Sequence, residues 1–471
     1  MLSISPPRAV AAILDETPTA DSPAFDGRLH RATVRSVFGM GLPSMASFLL
    51  LTIYDLIDIY WLARLGEAPV AADTIVGALF WVVNFPNQII GTGSVSLISR
   101  RFGAGDHAKT ESAIKNTFFG KFLVGVVMGT IGWFLCPQAL TWMGAEPEVR
   151  DLGVAYGRVQ FVVMAISLMS FSVYTALRGI GRPRYGMYVS IAGAFVNLLL
   201  DPLLIFGIGP FPRLGVVGAS LASAAGFLTV TVWGMVALSS AGSPVRVRWF
   251  ARPWFSLEEL RRMGRIGLPS GFASLSMALF SSALVKLVAV YGTTVVAVFG
   301  MSNKVLQFGR NLVSGLGLGT SALVGQHLGA RDLSRAWATA IVTIQIATGI
   351  LVVFAAFVFL FAEPIAAVFF ADPDVVTAAV PILRWLALGL PFVGAWVGAE
   401  QAYVGAGRTV PPLVAQAINS WIITVPAMWF LGQTLGLGAT GMMIAVSAGQ
   451  LIGAILGFVL LRRGSWLLHE V

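Results

Sequence analysis

The chain predicts an all-α membrane protein whose twelve transmembrane helices form two six-helix bundles, and three observations lead there. Only 11% of its 471 residues are charged and 56% are hydrophobic, against roughly 25% charged in soluble domains. Apolar runs of the roughly 20 residues needed to cross a bilayer recur along its length. The stretch GLPSMASFLLLTIYDLIDIYWLARLG, Gly41 to Gly66, also returns without a gap 226 residues later as GLPSGFASLSMALFSSALVKLVAVYG, Gly267 to Gly292.

Taken in order, residues 1–32 are a polar, acidic, Pro-containing tail (DETPTADSPAFDG). It lacks the apolar core behind a basic start that a signal peptide carries, so disorder is expected. An N-terminal lobe, 33–240, holds spans at 37–62, 70–98, 117–140, 153–177, 185–207 and 214–239. The polar connector 241–266 follows, with Ser256 and Glu259 spaced as a capping box for a short amphipathic helix at the membrane surface. The C-terminal lobe, 267–462, holds spans at 267–290, 294–324, 339–361, 376–403, 411–432 and 438–461, and 463–471 is a tail.

Ungapped register supports the duplication beyond the opening stretch. Fifteen of the sixty-nine positions from Gly41 to Lys109 are identical at the same offset. Gly91 and Gly93 recur as Gly317 and Gly319, FGAGD at 102 recurs as LGARD at 328, and GAEPEV at 144 recurs as FADPDV at 370. Each half has an even number of spans, so both start on the same side, related by a pseudo-two-fold axis along the membrane normal with a cleft between them.

The net charge of +9 lies in short loops, not on one helix or patch, which argues against nucleic acid as a partner. Twenty-two Lys and Arg fall on one side of the membrane and five on the other, placing both termini in the cytoplasm of a multi-pass inner (plasma) membrane protein. Cys136 is the single cysteine, so no intrachain disulfide forms. The four histidines lie in loops or tails and no GxxxxGK[ST] stretch occurs, so no enzyme, metal centre, cofactor or self-powered ATPase is expected.

Two carboxylates stand where hydrocarbon should exclude them. Asp58 lies eight residues inside Gly66, about 12 Å below the far end, and Asp201 lies six residues before Gly207, about 9 Å below it. Asn197 precedes Asp201 by one turn and Tyr54 precedes Asp58 likewise, while Asp55 is one turn from Asp58. Pro202 leaves the carbonyl of Leu198 unpaired and opens the helix beside Asp201. Buried carboxyls placed together hold two like charges poorly, so such a pocket exchanges a proton. The alternative for Asp58 or Asp201 is structural, a helix–helix hydrogen bond or a pair with Arg158. Asp73, near the far surface, is expected to be solvated. Asn84, Asn87, Gln88, Arg158 and Gln160 are the polar candidates for lining a substrate cavity.

These motifs resemble the multidrug and toxic compound extrusion (MATE) family. The resemblance covers residues 33 to 462 and rests on four features: Leu42-Pro43 and Leu268-Pro269 opening each half, Asp58 before Gly66, GLGLGTSALVGQHLGA at 315–330, and LRGIGRP at 177–183. It implies the MATE fold of the MOP superfamily and alternating-access efflux of amphipathic, often cationic compounds, driven by protons or sodium. Within the family the chain looks most like the DinF branch, with Asp58, and Asn197 with Asp201, as cation-coupling residues and bending of the first helix near Pro43 tied to protonation. A sodium ion, in this branch, would sit at the same Asp58, Asn197 and Asp201. The NorM-like acids of the seventh and tenth helices are absent, their positions falling near Met277 and Val393, and Asp55 stands where the family often has Asn.

The expected function is therefore a monomeric secondary-active antiporter exporting small organic compounds in exchange for protons or sodium. The alternatives are a flippase for lipid-linked precursors, which would need a strongly cationic cavity, and a non-transporting scaffold or channel.

Overall fold

A computed structural model describes residues 27–83 and 85–469, apart from the side chains of residues 27–29, 51, 52, 54–56, 81, 82 and 293. It is helical from end to end, with no strand among the described residues.

The first half contains α1 (Gly27–Ala63), α2 (Glu67–Val83), α3 (Phe85–Gly103), α4 (His107–Trp142), α5 (Pro147–Val162), α6 (Met164–Gly179), α7 (Pro183–Phe206) and α8 (Val216–Ser239). The second contains α9 (Leu257–Ala289), α10 (Thr293–Gly329), α11 (Leu333–Leu360), the short α12 (Ala362–Phe369), α13 (Pro373–Ala406), α14 (Val410–Thr434) and α15 (Gly438–Arg462). Eight of these helices are long and apolar enough to span a bilayer, and the bent pairs α2/α3 and α5/α6 make ten spans. The helices α1 and α10, 37 residues each, are longer still. The protein is thus a multi-pass membrane protein.

Two spans expected to be continuous are broken. The second bends by 54° between Glu67–Phe80 and Phe85–Gly103, where Pro86 enters the new helix in its first turn, the position that needs no backbone N–H. The fourth bends by 52° at Val163, whose φ of −84° and ψ of 1° leave the helical basin. No Pro or Gly stands there to account for it. The connector differs as well: its helix is not a separate surface element but the first turns of the 33-residue α9, with the Glu259 N–H donating to Ser256 Oγ at 3.4 Å as the capping box requires. α14 carries π-helical turns at Ile418–Thr424 and Phe430–Thr434, each an extra residue accommodated within a helix.

The chain divides into two compact units, residues 46–271 and residues 1–45 with 272–471. The division falls inside α1 and α9, not in the connector. In the 46–271 unit, the start of α9 is held by glycines: a Cβ on Gly93 would strike the Met263 carbonyl, and one on Gly267 would strike that of Ile89. In the other unit, a Cβ on Gly319 would come to 2.8 Å from the Met40 carbonyl at the start of α1. These repeated glycines therefore set backbone-to-backbone approach, as small residues do wherever membrane helices pack closely.

The 46–271 unit has two apolar clusters. One, at the end where the connector lies, joins Ile98, Ile114, Val173, Leu177, Val189 and Val230 with Val245, Val247 and Met263. The other, towards the far end, joins Leu62, Val76, Leu140, Phe161, Met164, Leu168 and Ile205. In the second unit, Trp337, Tyr403 and Trp466 stack together and fix the segment after α15, with Tyr403 Oη donating to the Leu460 carbonyl at 2.8 Å.

Candidate functional site

Asp58 and Asp201 each lie five residues before the end of a helix, α1 and α7, hence about 7–8 Å inside it. They are 7% and 0% exposed, and their carboxyl groups are within hydrogen-bonding reach of each other. Three neighbours supply donors. Asn197, one turn before Asp201, gives an amide hydrogen to Asp201 Oδ1 at 3.3 Å and also reaches Asp58, and Ser223 on α8 donates to Asp58 Oδ2 at 3.2 Å. One oxygen of each acid, Asp58 Oδ1 and Asp201 Oδ2, is buried without a donor among the described residues. Two buried acceptors on neighbouring acids can share a proton or coordinate a small cation.

Helix geometry explains why α8 can deliver Ser223. The run GASLASAAG, Gly218 to Gly226, keeps one face small, so α8 approaches α7 until a Cβ on Gly226 would stand 3.0 Å from the Gly193 carbonyl. Sequence reasoning missed Ser223, because a serine among alanines announces nothing. The small-residue stripe was the available signal.

Tyr156 on α5 was missed too. It is 6% exposed. Its hydroxyl accepts from Gln160 Nε2 at 3.1 Å and bonds Asp73 of α2, and its ring lies in the field of Asp58. Its carbonyl takes the Ser220 hydroxyl at 3.0 Å. Asp73 is therefore half-buried and partnered, not solvated as expected, because α5 packs directly against α2. Trp61 and Phe206 meet edge to face at 6.0 Å between the acid pair and the helix ends.

The remaining candidates scatter. Arg158 is exposed, its guanidinium 5.1 Å over the Trp133 ring, and it pairs with neither acid. Gln160 joins the site through Tyr156. Asn87 is buried with Oδ1 unpartnered, and Gln88 is exposed. Asn84 and the side chains of Tyr54 and Asp55 lie outside the described residues. Pro202 sits inside the continuous α7 and Pro43 inside the continuous α1. One turn from Asn197 towards the connector end lies a narrow crevice of about 20 Å³, lined by Leu50, Tyr174, Ser190, Gly193, Gly226 and Phe227.

The profile of the family described as MatE matches residues 43–203 and 269–430, one match per half. The chain is 24% identical over 445 residues to the probable multidrug resistance protein YoeA of Bacillus subtilis, covering 93% of this chain and 96% of that one. It is 26% identical over 453 residues to the multidrug export protein MepA of Staphylococcus aureus, covering 93% and 94%. A crystal structure of a MATE protein in a bent conformation superposes with a TM-score of 0.84 at 25% identity, covering 93% of this chain and 97% of that one.

Proposed function

The chain belongs to the MATE family of membrane transporters, and from that premise we propose that it is a multidrug exporter in which ion entry at Asp58 and Asp201 drives efflux of amphipathic, cationic organic compounds. The observation that carries the reading is the meeting of two buried acids from different helices, each with an oxygen left unpartnered. A proton shared between the two acids, or a small cation held by both, would complete the oxygens that their neighbours leave unpartnered. The export names of YoeA and MepA support the direction and breadth of transport.

In the cycle we propose, a proton from outside occupies the pair and cancels one of its two charges. Asn197 and Ser223 keep the oxygens oriented in both states. The gain or loss of that charge changes what α1 and α7 offer each other, and therefore how the far end of α1 packs. The oxygen set of Asp58, Asp201, Asn197 and Ser223 also suits sodium, a hard cation. The protein works as a monomer in the plasma membrane, with both termini in the cytoplasm.

Proteoliposomes carrying separately imposed pH and sodium gradients, with a fluorescent organic cation as reporter, test this. Efflux should follow one gradient and fall at least about tenfold, the loss of one essential interaction, in Asp58→Asn and Asp201→Asn, with thermal unfolding unchanged. Wild-type transport by both variants would remove the assignment. Dye flux indifferent to either gradient would instead make the protein a passive conduit.

A further inference from the structure

The middle of α10 carries a polar face that the acid pair does not use. Lys304, Gln307 and Asn311 follow one another at spacings of three and four residues and so share one side of the helix, with Arg310, three after Gln307, at its border. Arg310 lies 17 residues after Thr293 and 19 before Gly329, hence about 25 Å or more from either end. Across an apolar layer about 30 Å thick, that is mid-membrane. The first copy holds no charge here: the offset of 226 gives Ala78, Trp81, Asn84 and Phe85.

The other sides of α10 are closed by its own unit. A Cβ on Gly309 would meet Leu351 of α11 at 3.2 Å, and one on Gly317 would meet Gln401 of α13 at 2.8 Å, while Leu306, Val313 and Leu316 are buried. Lys304 and Gln307 are exposed, and Arg310 and Asn311 are half-buried. On this open side the polar groups fix one another. Gln307 Nε2 donates to Asn311 Oδ1 at 2.8 Å, and Gln307 Oε1 accepts from Arg310 Nε at 3.2 Å and from Arg310 Nη2 at 3.1 Å. The guanidinium is thereby held along one edge, and three of its five N–H groups, including the parallel pair on its end, have no acceptor among the described residues. Neither Arg310 nor Lys304 is in an ion pair among them.

Hydrocarbon does not solvate such a group, so a cation fixed on an open face at this depth meets water or a ligand. A planar fork with two parallel donors free matches the two oxygens of a carboxylate. We propose that Arg310 anchors the carboxylate of a transported compound, with Gln307 positioning the guanidinium and Lys304, about 9 Å nearer the start of α10, adding to the attraction. The substrate class selected in this way is zwitterionic: organic compounds that bear a carboxylate beside their cationic group. This rests on the reading of the chain as an exporter, and not on which ion drives it.

The test compares two probes that differ only in that group: a rhodamine dye with a free carboxylate and the ethyl ester of the same dye. Binding to the purified full chain in nanodiscs is followed by fluorescence polarisation without any gradient. The wild type should hold the acid roughly tenfold more tightly than the ester, the worth of one charge-assisted contact. Arg310→Gln should abolish that preference, Arg310→Lys should keep part of it because the charge stays and the fork is lost, and Arg462→Gln, on an exposed cation of α15, should keep all of it. Equal wild-type affinities for acid and ester overturn the proposal, as does an equal weakening of both probes in Arg310→Gln, which would mark a structural role. If Arg310→Gln does not fold, Gln307→Ala decides, since its side chain is exposed: a preference undiminished there overturns the assignment. Failure of the exporter reading shows separately, as gradient-indifferent flux of the ester in wild-type proteoliposomes.

Discussion

The two halves repeat each other in register, yet they spend their buried polarity differently. Where the first half has Asp58, Asp201, Asn197, Ser223 and Tyr156, the same offset of 226 puts Leu284, Ala427, Ile423, Gly449 and Ile382 in the second. The first half also breaks its fourth span at Val163, whereas α13 passes the corresponding Gly389 as one 34-residue helix. The scaffold positions, by contrast, are kept. Asp106 caps α4 by accepting the Lys109 N–H at 3.0 Å, and Asp332 caps α11 from Arg335 at 2.9 Å. Duplication thus preserved what closes helices and lets them approach, and left the buried acid pair to one copy. That division fits the single coupling site proposed above.

The largest break in this comparison comes from moving an acid across it. Leu284→Asp should destabilise the protein by on the order of 4 kcal/mol, since Leu284 is buried and the positions equivalent to Asn197, Asp201 and Ser223 are Ile423, Ala427 and Gly449. Unfolding in detergent measures this, and a well-folded variant showing gradient-driven efflux with Asp58→Asn in the background would mean that the halves are chemically interchangeable. Next are the repeated glycines. Gly317→Ala should cost about 1–3 kcal/mol, because its Cβ would meet Gln401 Cγ at 2.8 Å and Val397 at 3.0 Å, whereas Gly91→Ala, with nothing nearer than 3.7 Å, should be close to neutral.

Smaller effects sharpen the picture. The repeated loop has Gly105 at φ 75° in the first half and Arg331 at φ 58° in the second, the one described non-glycine residue with positive φ. Arg331→Gly should therefore stabilise the protein by about 1 kcal/mol, and Gly105→Arg should destabilise it by a similar amount. Smallest and most symmetric are the caps. Asp106→Ala and Asp332→Ala should each cost roughly 1 kcal/mol, and unequal losses would show that the two loops are not equivalent.

The duplication and the placing of both acids within apolar helices were legible in the residues, because hydropathy runs and an ungapped offset are one-dimensional patterns. Ser223 and Tyr156 were not, since neither residue type is unusual in a membrane helix and only the neighbour each faces gives it a role. Arg158 illustrates the opposite case: its sequence position allowed a pairing with the acids, and a Trp133 ring took it instead. The break in the fourth span escaped because nothing at Val163 interrupts the apolar run, while the break in the second falls at the polar run Asn84, Pro86, Asn87, Gln88, which reads as cavity lining.

From sequence alone came the fact of a membrane-embedded repeat with carboxylates in one copy, since burial in lipid constrains composition residue by residue. Only the folded chain decided that Asp58 and Asp201 meet, that Ser223 reaches them, and that the compact units divide inside α1 and α9. The physical reason is that such facts depend on how closely helices approach and how they rotate about their axes. Both are set by small residues on facing surfaces, which a linear pattern does not bring together.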